Sequence, residues 1–398
     1  MITYEEAIEL VLKNVPAPEP CDAELTTTFG MVLADDIFSD IDMPPFDKAV
    51  MDGFAVASSS INNAAALKII GEARAGSPFN GVVNAGEAVR IMTGAMLPKG
   101  ADAVIKLEET EESGGFVKLN LPVRRGQDVH KRGCYITKGA KALSKGKRIG
   151  ISDIAALASV GKRSVKVYRR PTVSVFSTGD ELVDVREVPS HAHIRDVNLP
   201  MLVSMLARDD VEAQGLGIIP DNVDALRAAI KNGLASDILI MSGGVSAGKY
   251  DHVPELLALE GVEKVFHKVN IKPGKPIFFG RRDKTLVFGL PGNPVSAFVG
   301  YLLFVRPAIL KMMGVHDPIP RMEMGVLQQD IERSDLRKEF VPVAIHPPLL
   351  KGGRGDLTPI ISSGSADVFC LSAADGFAVI EAGVSCLAKG AEMEFLKW

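Results

Sequence analysis

Three glycine-rich loops, each following a short apolar run, constrain the fold of this chain more than any other feature. The apolar, β-branched runs span residues 172–177, 237–241 and 285–289. Segments with helical spacing of apolar residues alternate with them, at residues 199–207, 223–231 and 295–310. Strands that alternate with helices over about 140 residues predict a three-layer α/β/α domain with a mostly parallel sheet.

The loops that follow these runs have the composition of an anion-binding site. In a parallel sheet such loops share one edge, where ligands bind. Glycine lets backbone N–H groups approach an anion, and Ser or Thr hydroxyls add donors. Neither a P-loop nor a dinucleotide-binding glycine motif is present, so we expect another phosphate-bearing small molecule. The predicted substrate contacts are Ser177, Thr178, Gly179, Asp237, Ser242, Gly243, Gly244, Ser246, Gly248, Pro291, Gly292, Asn293 and Pro294.

A proline-framed loop, Lys272-Pro273-Gly274-Lys275-Pro276, lies between the second and third of these turns. Two prolines stiffen the loop, so that Lys272 and Lys275 can present two ammonium groups to one oxyanion. The loop therefore predicts an oxyanion contact beside the glycine-rich turns.

Acidic residues also occur in the loops. Asp180 and Glu181 follow Gly179, Asp251 follows the second turn, and Asp52 stands in a Met-Asp-Gly sequence in the N-terminal half. Carboxylates beside a phosphate site usually hold Mg²⁺ or exclude the wrong anion. Each of them alone is also an ordinary helix cap or turn residue.

The remainder of the chain is mostly β-like. Thr3 and Glu6 form a capping box that predicts a short opening helix. Short runs broken by Gly and Pro follow, and short strands return near the C-terminus, which predicts a multidomain α/β plus β fold with a β-rich N-terminal half and a small C-terminal β-barrel. The predicted domains are a linker and dimerisation domain at residues 1–40 and 125–168, a β-rich domain at 41–124, the α/β domain at 169–314 and the barrel at 315–398.

Composition excludes several classes of function. Of the 398 residues 46% are hydrophobic and 24% charged, and the net charge is −4 without a basic cluster, so we expect no nucleic-acid partner. The longest apolar run, residues 295–305, is too short to span a bilayer, and the opening residues lack the pattern of a signal peptide. Four widely spaced cysteines indicate reduced thiols, and we expect a cytoplasmic protein without a membrane partner.

Taken together, these motifs resemble the molybdopterin molybdenumtransferases, the family that contains bacterial molybdenum-cofactor proteins and the C-terminal domain of gephyrin. The matching stretches follow the family's order, at residues 51–56, 91–95, 100–104, 124–128, 177–182, 242–248, 272–276 and 289–297. One departure lies in the C-terminal domain, where Pro342 stands at a position that is often Arg in the family.

The resemblance implies an enzyme that takes adenylylated molybdopterin and molybdate, hydrolyses the adenylate, places molybdenum on the dithiolene sulfurs and releases AMP. It implies a divalent cation, usually Mg²⁺, whose ligands stay unassigned, and a homodimer with a shared active site. In the family Asp52, Thr93 and Asp128 face the cleft of the α/β domain, typically that of the partner subunit. Lys272 and Lys275, with Ser296, resemble the family's molybdate contacts, and Asp180 and Glu181 join the catalytic set.

Two other functions are considered. The α/β domain could adenylylate molybdopterin, as related single-domain proteins do, although the complete N-terminal half argues against that reaction. The chain could also be a scaffold, as gephyrin is, but that role needs a partner-binding groove and usually an additional N-terminal domain and linker, which we do not expect here.

Overall fold

The computed structural model describes residues 1–61, 66–120, 122–245, 252–346 and 355–398. These residues form two compact units. One contains residues 1–21, 30–34 and 166–398, and the other contains residues 22–29 and 35–165. The first unit holds the predicted α/β and barrel domains, and the second holds most of the β-rich half.

A six-stranded sheet forms the centre of the first unit. In spatial order its strands are Ala213–Ile219, Val173–Thr178, Ile238–Ser242, Thr285–Leu290, Phe278–Arg282 and Glu263–His267. The first four strands are parallel, and the last two are antiparallel additions at one edge. The predicted, mostly parallel sheet is confirmed, and the three strands predicted from apolar runs lie side by side at its centre.

Helices cover both faces of this sheet. They are Tyr4–Asn14, Asn198–Arg208, Val223–Gly233, Val253–Leu259, Pro294–Gly300 and Arg306–Met312, with a π-helical turn at Tyr301–Val305 joining the last two. Alternate strand residues enter two separate cores, with Val175 and Ile240 on one face and Phe176 and Leu239 on the other. The continuous apolar helix Pro294–Met312 is long enough to cross a membrane, but 89% of its most apolar stretch is buried, as in the core helix of a folded domain.

The C-terminal strands close into a five-stranded barrel. Around the barrel they are Lys338–His346, Gly355–Pro359, Met322–Leu327, Glu392–Lys397 and Gly376–Ile380, which pairs again with the first strand. A short strand, Ile271–Lys272, also pairs with this barrel. In sequence it lies between two strands of the α/β sheet, and it runs parallel to the start of Lys338–His346. The predicted barrel is confirmed, and the predicted oxyanion loop begins on its sheet. Minor elements of this unit are the helix Val368–Ala373 and the paired strands Leu182–Val183, Ile194–Arg195, Ile331–Glu332 and Cys386–Leu387.

The second unit is β-rich, as predicted. Its main sheet contains, in spatial order, Ala103–Lys106, Gly53–Val56, Glu87–Ile91, Leu67–Ala73, Phe116–Leu119 and Thr110–Ser113. Smaller elements are the helix Ile151–Ser159 and the strands Ile37–Phe38, Lys48–Ala49, Val129–His130 and Lys141–Leu143. Apolar side chains fill the space on both faces of the main sheet.

Asp237, predicted as a substrate contact, lies at the opposite end of the α/β sheet from the glycine-rich turns. It precedes the strand Ile238–Ser242, whereas the turns follow their strands. Arg169 donates Nη1 to Oδ2 of Asp237 at 2.7 Å and Nη2 to Oδ1 at 2.8 Å, and the Thr172 N–H donates to Oδ2 at 2.8 Å. The prediction for Asp237 is therefore wrong, because its carboxylate is fully engaged in a structural ion pair.

We expect Asp237→Asn to lower the free energy of unfolding by about 2 kcal/mol at pH 7. The hydrogen bonds from Arg169, followed by those from Thr172, outweigh the effect of burial and lower the pKa of Asp237 from 3.8 to about 2. A carboxylate whose pKa is lowered on folding stabilises the protein fully above its unfolded pKa, and this stabilisation is lost as the pH falls through the folded pKa.

Urea unfolding at several pH values checks this prediction. The difference between wild type and Asp237→Asn should be constant from pH 7 to pH 5 and fall to about half at pH 3. Asp317→Asn, at an exposed carboxylate, is the control and should change stability little at any of these pH values. A difference for Asp237→Asn that is absent at pH 7, or undiminished at pH 3, would contradict the account.

Candidate functional site

The three glycine-rich turns of the α/β sheet touch one another. The Gly243 N–H of the second turn donates to the Leu290 carbonyl of the third turn at 3.0 Å. On its other side, a Cβ at Gly243 would lie 2.3 Å from the Thr178 carbonyl oxygen of the first turn, and Gly243 has φ of +96°. Only glycine fits this contact, so the absence of a side chain brings the three turns together.

Buried polar side chains hold the turns in place by hydrogen bonds. Asn198 donates through Nδ2 to Ser242 Oγ at 2.7 Å and to the Gly292 carbonyl at 2.6 Å. Asp196 Oδ1 accepts from Ser177 Oγ at 3.0 Å and from the Asn198 N–H at 2.9 Å. All of these side chains are buried, so the hydrogen bonds are shielded from water and fix the spacing of the turns.

The first turn carries a group of acidic residues. Thr178 Oγ1 donates to Asp221 and, at 2.9 Å, to the Ile219 carbonyl. The Asp221 N–H in turn donates to Asp180 Oδ1 at 2.9 Å, while Glu181 is exposed beside them. Three carboxylates, of Asp180, Glu181 and Asp221, thus lie at the end of the Val173–Thr178 strand.

A cavity of about 670 Å³ opens beside this turn. It is lined by the first turn and by residues of neighbouring strands and helices, among them Gly179, Asp180, Leu182, Asp184, Asp196, Leu199, Val203, Ile218 and Pro220. Its wall is mainly apolar and includes several acidic side chains. Such a combination suits a flat organic group that carries charge at one end.

A second cavity, of about 700 Å³, lies between the third turn and the barrel, within the same compact unit. The predicted residues that line it are Lys272, Pro273, Gly274, Lys275, Pro276, Pro291, Asn293 and Ser296. The barrel contributes Arg333, Arg337, Glu339, Pro342 and Ser365. Asn293 Nδ2 donates to Ser365 Oγ at 2.7 Å, which joins the third turn to the barrel. The cavity is rich in cationic side chains and suits an anion.

Side chains of the barrel contact the start of the lysine loop. Lys272 Nζ lies 2.8 Å from Glu339 Oε1, and Glu339 Oε2 lies 3.1 Å from Arg333 Nη1. Arg337 donates Nη1 to the Ile271 carbonyl at 2.9 Å and pairs with Asp335. The barrel therefore holds both the backbone and the side chain at the start of the lysine loop.

The predicted catalytic residues of the N-terminal half come together in the second compact unit. Asp52 Oδ1 accepts hydrogen bonds from the Thr93 N–H and hydroxyl, both at 2.6 Å. The hydrogen bond from the hydroxyl, followed by that from the N–H, lowers the pKa of Asp52. Lys106 pairs with Gly53 across the sheet, and its Nζ lies 3.9 Å from Asp128 Oδ1. A Cβ at Gly53 would lie 1.8 Å from the Ile105 carbonyl oxygen, so the Met-Asp-Gly sequence requires its glycine.

The structure also shows what the sequence missed. Asp196, Asn198 and Asp221 were not predicted, although each contacts a glycine-rich turn. Asp196 and Asn198 precede or begin a helix and read as cap residues, and Asp221 follows a proline in a loop. The predicted contacts Ser246, Gly248 and Asp251 lie outside the described residues.

Among the described residues, two separate cavities adjoin the turns, one beside the first turn and one between the third turn and the lysine loop. The sheet has helices on both faces, its turns have the glycine-rich composition of anion-binding loops, and a cation-lined cavity lies next to them. These features define a protein of the class that binds anionic small molecules. Comparison with known proteins places the chain within that class.

Three family models match consecutive parts of the chain. They are the MoeA N-terminal region (domain I and II) at residues 2–161, a probable molybdopterin binding domain at residues 174–311, and the MoeA C-terminal region (domain IV) at residues 325–398. A molybdopterin molybdenumtransferase of Staphylococcus aureus is 34% identical over 346 residues, covering 85% of this chain and 83% of that protein. One of Staphylococcus epidermidis is 32% identical over 340 residues, covering 84% and 81%.

Solved structures agree with these matches. A molybdopterin biosynthesis MoeA protein of Pyrococcus horikoshii has a TM-score of 0.83 at 32% identity and covers 100% of this chain and 99% of its own. A second one from that organism has a TM-score of 0.81 at 28% identity, with both chains fully covered. The chain therefore belongs to the molybdopterin molybdenumtransferase family, a family of transferases in molybdenum-cofactor biosynthesis, and the resemblance noted in the sequence is confirmed.

Proposed function

We propose that this chain inserts molybdate into adenylylated molybdopterin, with hydrolysis of the adenylate and release of AMP. The observation that supports the proposal is that the interlocked glycine-rich turns and the lysine-lined cavity lie in one compact unit, where the third turn lines that cavity. The reaction needs two anions at once, a phosphoanhydride and molybdate. Glycine-rich turns suit the first, and Lys272 with Lys275 and Ser296 suits the second.

The proposed chemistry is mainly electrostatic. In this proposal the backbone N–H groups of the turns stabilise the charge that develops when the phosphoanhydride breaks, and the two lysines stabilise the molybdate. Asp180 and Glu181, exposed at the first turn, and Asp52, held by Thr93, would orient the attacking water or the substrate. The lowered pKa of Asp52 keeps this group ionised at neutral pH.

A divalent cation, Mg²⁺, belongs to the proposal as well. Within the described ranges no three His, Cys, Asp or Glu side chains are grouped closely enough to hold a metal. Mg²⁺ is commonly held by one or two carboxylates together with substrate phosphates, and the Asp180 carboxylate, which accepts from the Asp221 N–H, would be one such ligand. When bound, the ion would neutralise phosphate charge.

The finer organisation follows from the family resemblance. We propose a cytoplasmic homodimer in which Asp52, Thr93 and Asp128 of one subunit complete the α/β site of the other. The four domains predicted from the sequence, 1–40 with 125–168, 41–124, 169–314 and 315–398, are retained as part of this proposal.

Incubation with adenylylated molybdopterin and molybdate, followed by measurement of AMP release, tests the reaction. Lys272→Ala, Glu181→Ala and Asp52→Ala should each lower the rate by about 100-fold or more while the variants stay folded. Lys284→Ala, at the opposite end of the sheet in an ion pair with Glu19, is the control and should keep wild-type activity. Full activity in all three site variants would refute the proposal, and ATP-dependent transfer of AMP to free molybdopterin would favour an adenylyltransferase.

Complementation between inactive variants tests the shared site. A heterodimer of Asp52→Ala and Lys272→Ala subunits, isolated with two affinity tags, should contain one intact site and recover about half of the wild-type activity. Neither homodimer should be active. An inactive heterodimer, or a chain that is monomeric by light scattering, would rule out a site built from two subunits.

A further inference from the structure

The Lys272 ammonium group of the cation-lined cavity already has a fixed acidic partner. Lys272 Nζ and Glu339 Oε1 are 2.8 Å apart, and the side chain of Lys272 is 39% exposed while that of Glu339 is 13% exposed. Both residues line the cavity. An oxyanion that enters this cavity must therefore compete with Glu339 for the lysine.

Arg333 holds Glu339 in place. Its Nη1 lies 3.1 Å from Glu339 Oε2, and its side chain is only 3% exposed. Through Nη2 it also donates to the Arg337 carbonyl at 2.7 Å and to the Glu381 carbonyl at 3.2 Å. A buried guanidinium with three acceptors has little freedom, so the carboxylate that it binds cannot swing out of the cavity without leaving Arg333 poorly paired.

The backbone fixes the same contact. Lys272 and Glu339 are direct partners in the parallel pairing of Ile271–Lys272 with Lys338–His346. Two neighbouring strands thus present the lysine and the glutamate side by side. The pair is set by strand register and by Arg333, rather than by two flexible surface side chains that meet by chance.

Charge balance gives this arrangement a consequence for binding. Four cationic side chains, of Lys272, Lys275, Arg333 and Arg337, line the cavity together with two carboxylates, of Glu332 and Glu339. The net charge is therefore two positive charges, which balances the charge of a tetrahedral dianion. Without the Glu339 carboxylate the cavity would attract any abundant dianion more strongly, because a like charge next to the ligand would be gone.

We propose that Glu339 is a positioning residue that holds Lys272 and sets the affinity of the cavity for oxyanions by competing for its ammonium group. The inference rests on the proposed function, since it assumes that Lys272 and Lys275 hold the oxyanion. Glu339 keeps binding weak enough for the anion to exchange, so that sulfate or phosphate does not occupy the cavity permanently.

Calorimetric titration of the full chain with molybdate, and separately with sulfate, tests the inference without any pterin substrate. Glu339→Gln keeps an oxygen for Arg333 but loses the charge, and it should lower the Kd for both anions by about five- to tenfold. In the AMP-release assay the same variant should lower the KM for molybdate without raising kcat. A merely structural role predicts the opposite, because a loosened barrel would bind the anion less tightly.

Two further variants complete the experiment. Glu381→Gln removes the same charge from an ion pair with Lys338 outside the cavity, and its Kd values should stay within twofold of wild type. Glu339→Asp keeps the charge but reaches less far toward Lys272, so it should lower the Kd for both anions by about two- to threefold. This variant replaces Glu339→Gln in the test if Glu339→Gln does not fold.

The possible results separate the two proposals. Unchanged or weaker anion binding in a folded Glu339 variant overturns the role of Glu339, as does wild-type protein that binds neither anion. Tighter binding in the Glu339 variants, combined with a wild-type chain that releases no AMP from adenylylated molybdopterin, would support the role of Glu339 and overturn only the proposed reaction.

Discussion

The contact between Gly243 and its two neighbouring turns is the constraint on which the site depends. A side chain at this position would meet the Thr178 carbonyl oxygen at 2.3 Å, and the Gly243 N–H already donates to the Leu290 carbonyl. Three parallel strands bring their turns to one edge, but they do not by themselves bring them into contact. Glycine permits the contact, and the buried amide of Asn198 fixes it by bridging the second and third turns.

A second constraint links the barrel to the α/β sheet. The strand Ile271–Lys272 pairs with Lys338–His346 and so belongs to the barrel's sheet, while the loop that follows it lines a cavity together with the third turn. Arg337 holds the Ile271 carbonyl, and Glu339 holds the Lys272 side chain. The C-terminal domain therefore determines where the lysine loop lies, even though both lysines come from the middle of the chain.

Local sequence predicted those parts of the molecule that local physics decides. Glycine-rich turns after β-branched runs are typical of the strand ends of a parallel sheet, so the α/β sheet could be predicted. The barrel and the capping box of Thr3 also follow from residue patterns that are local in the sequence. Asp196, Asn198 and Asp221 were missed because their importance comes from partners far away in sequence. Asp237 was predicted as a substrate contact although it lies at the other end of the sheet, since composition alone does not reveal its ion pair with Arg169. The edge strand Ala213–Ile219 was missed because it is only partly buried and contains two glycines.

The central claim is that the lysine loop and the third turn form the oxyanion site of this transferase. A crystal soaked with molybdate and measured at the molybdenum absorption edge tests it most directly. The account predicts an anomalous peak in the cavity between the lysine loop and the barrel, within contact distance of Lys272, Lys275 and Ser296. A peak confined to another part of the surface, with this cavity empty at saturating molybdate, would contradict it.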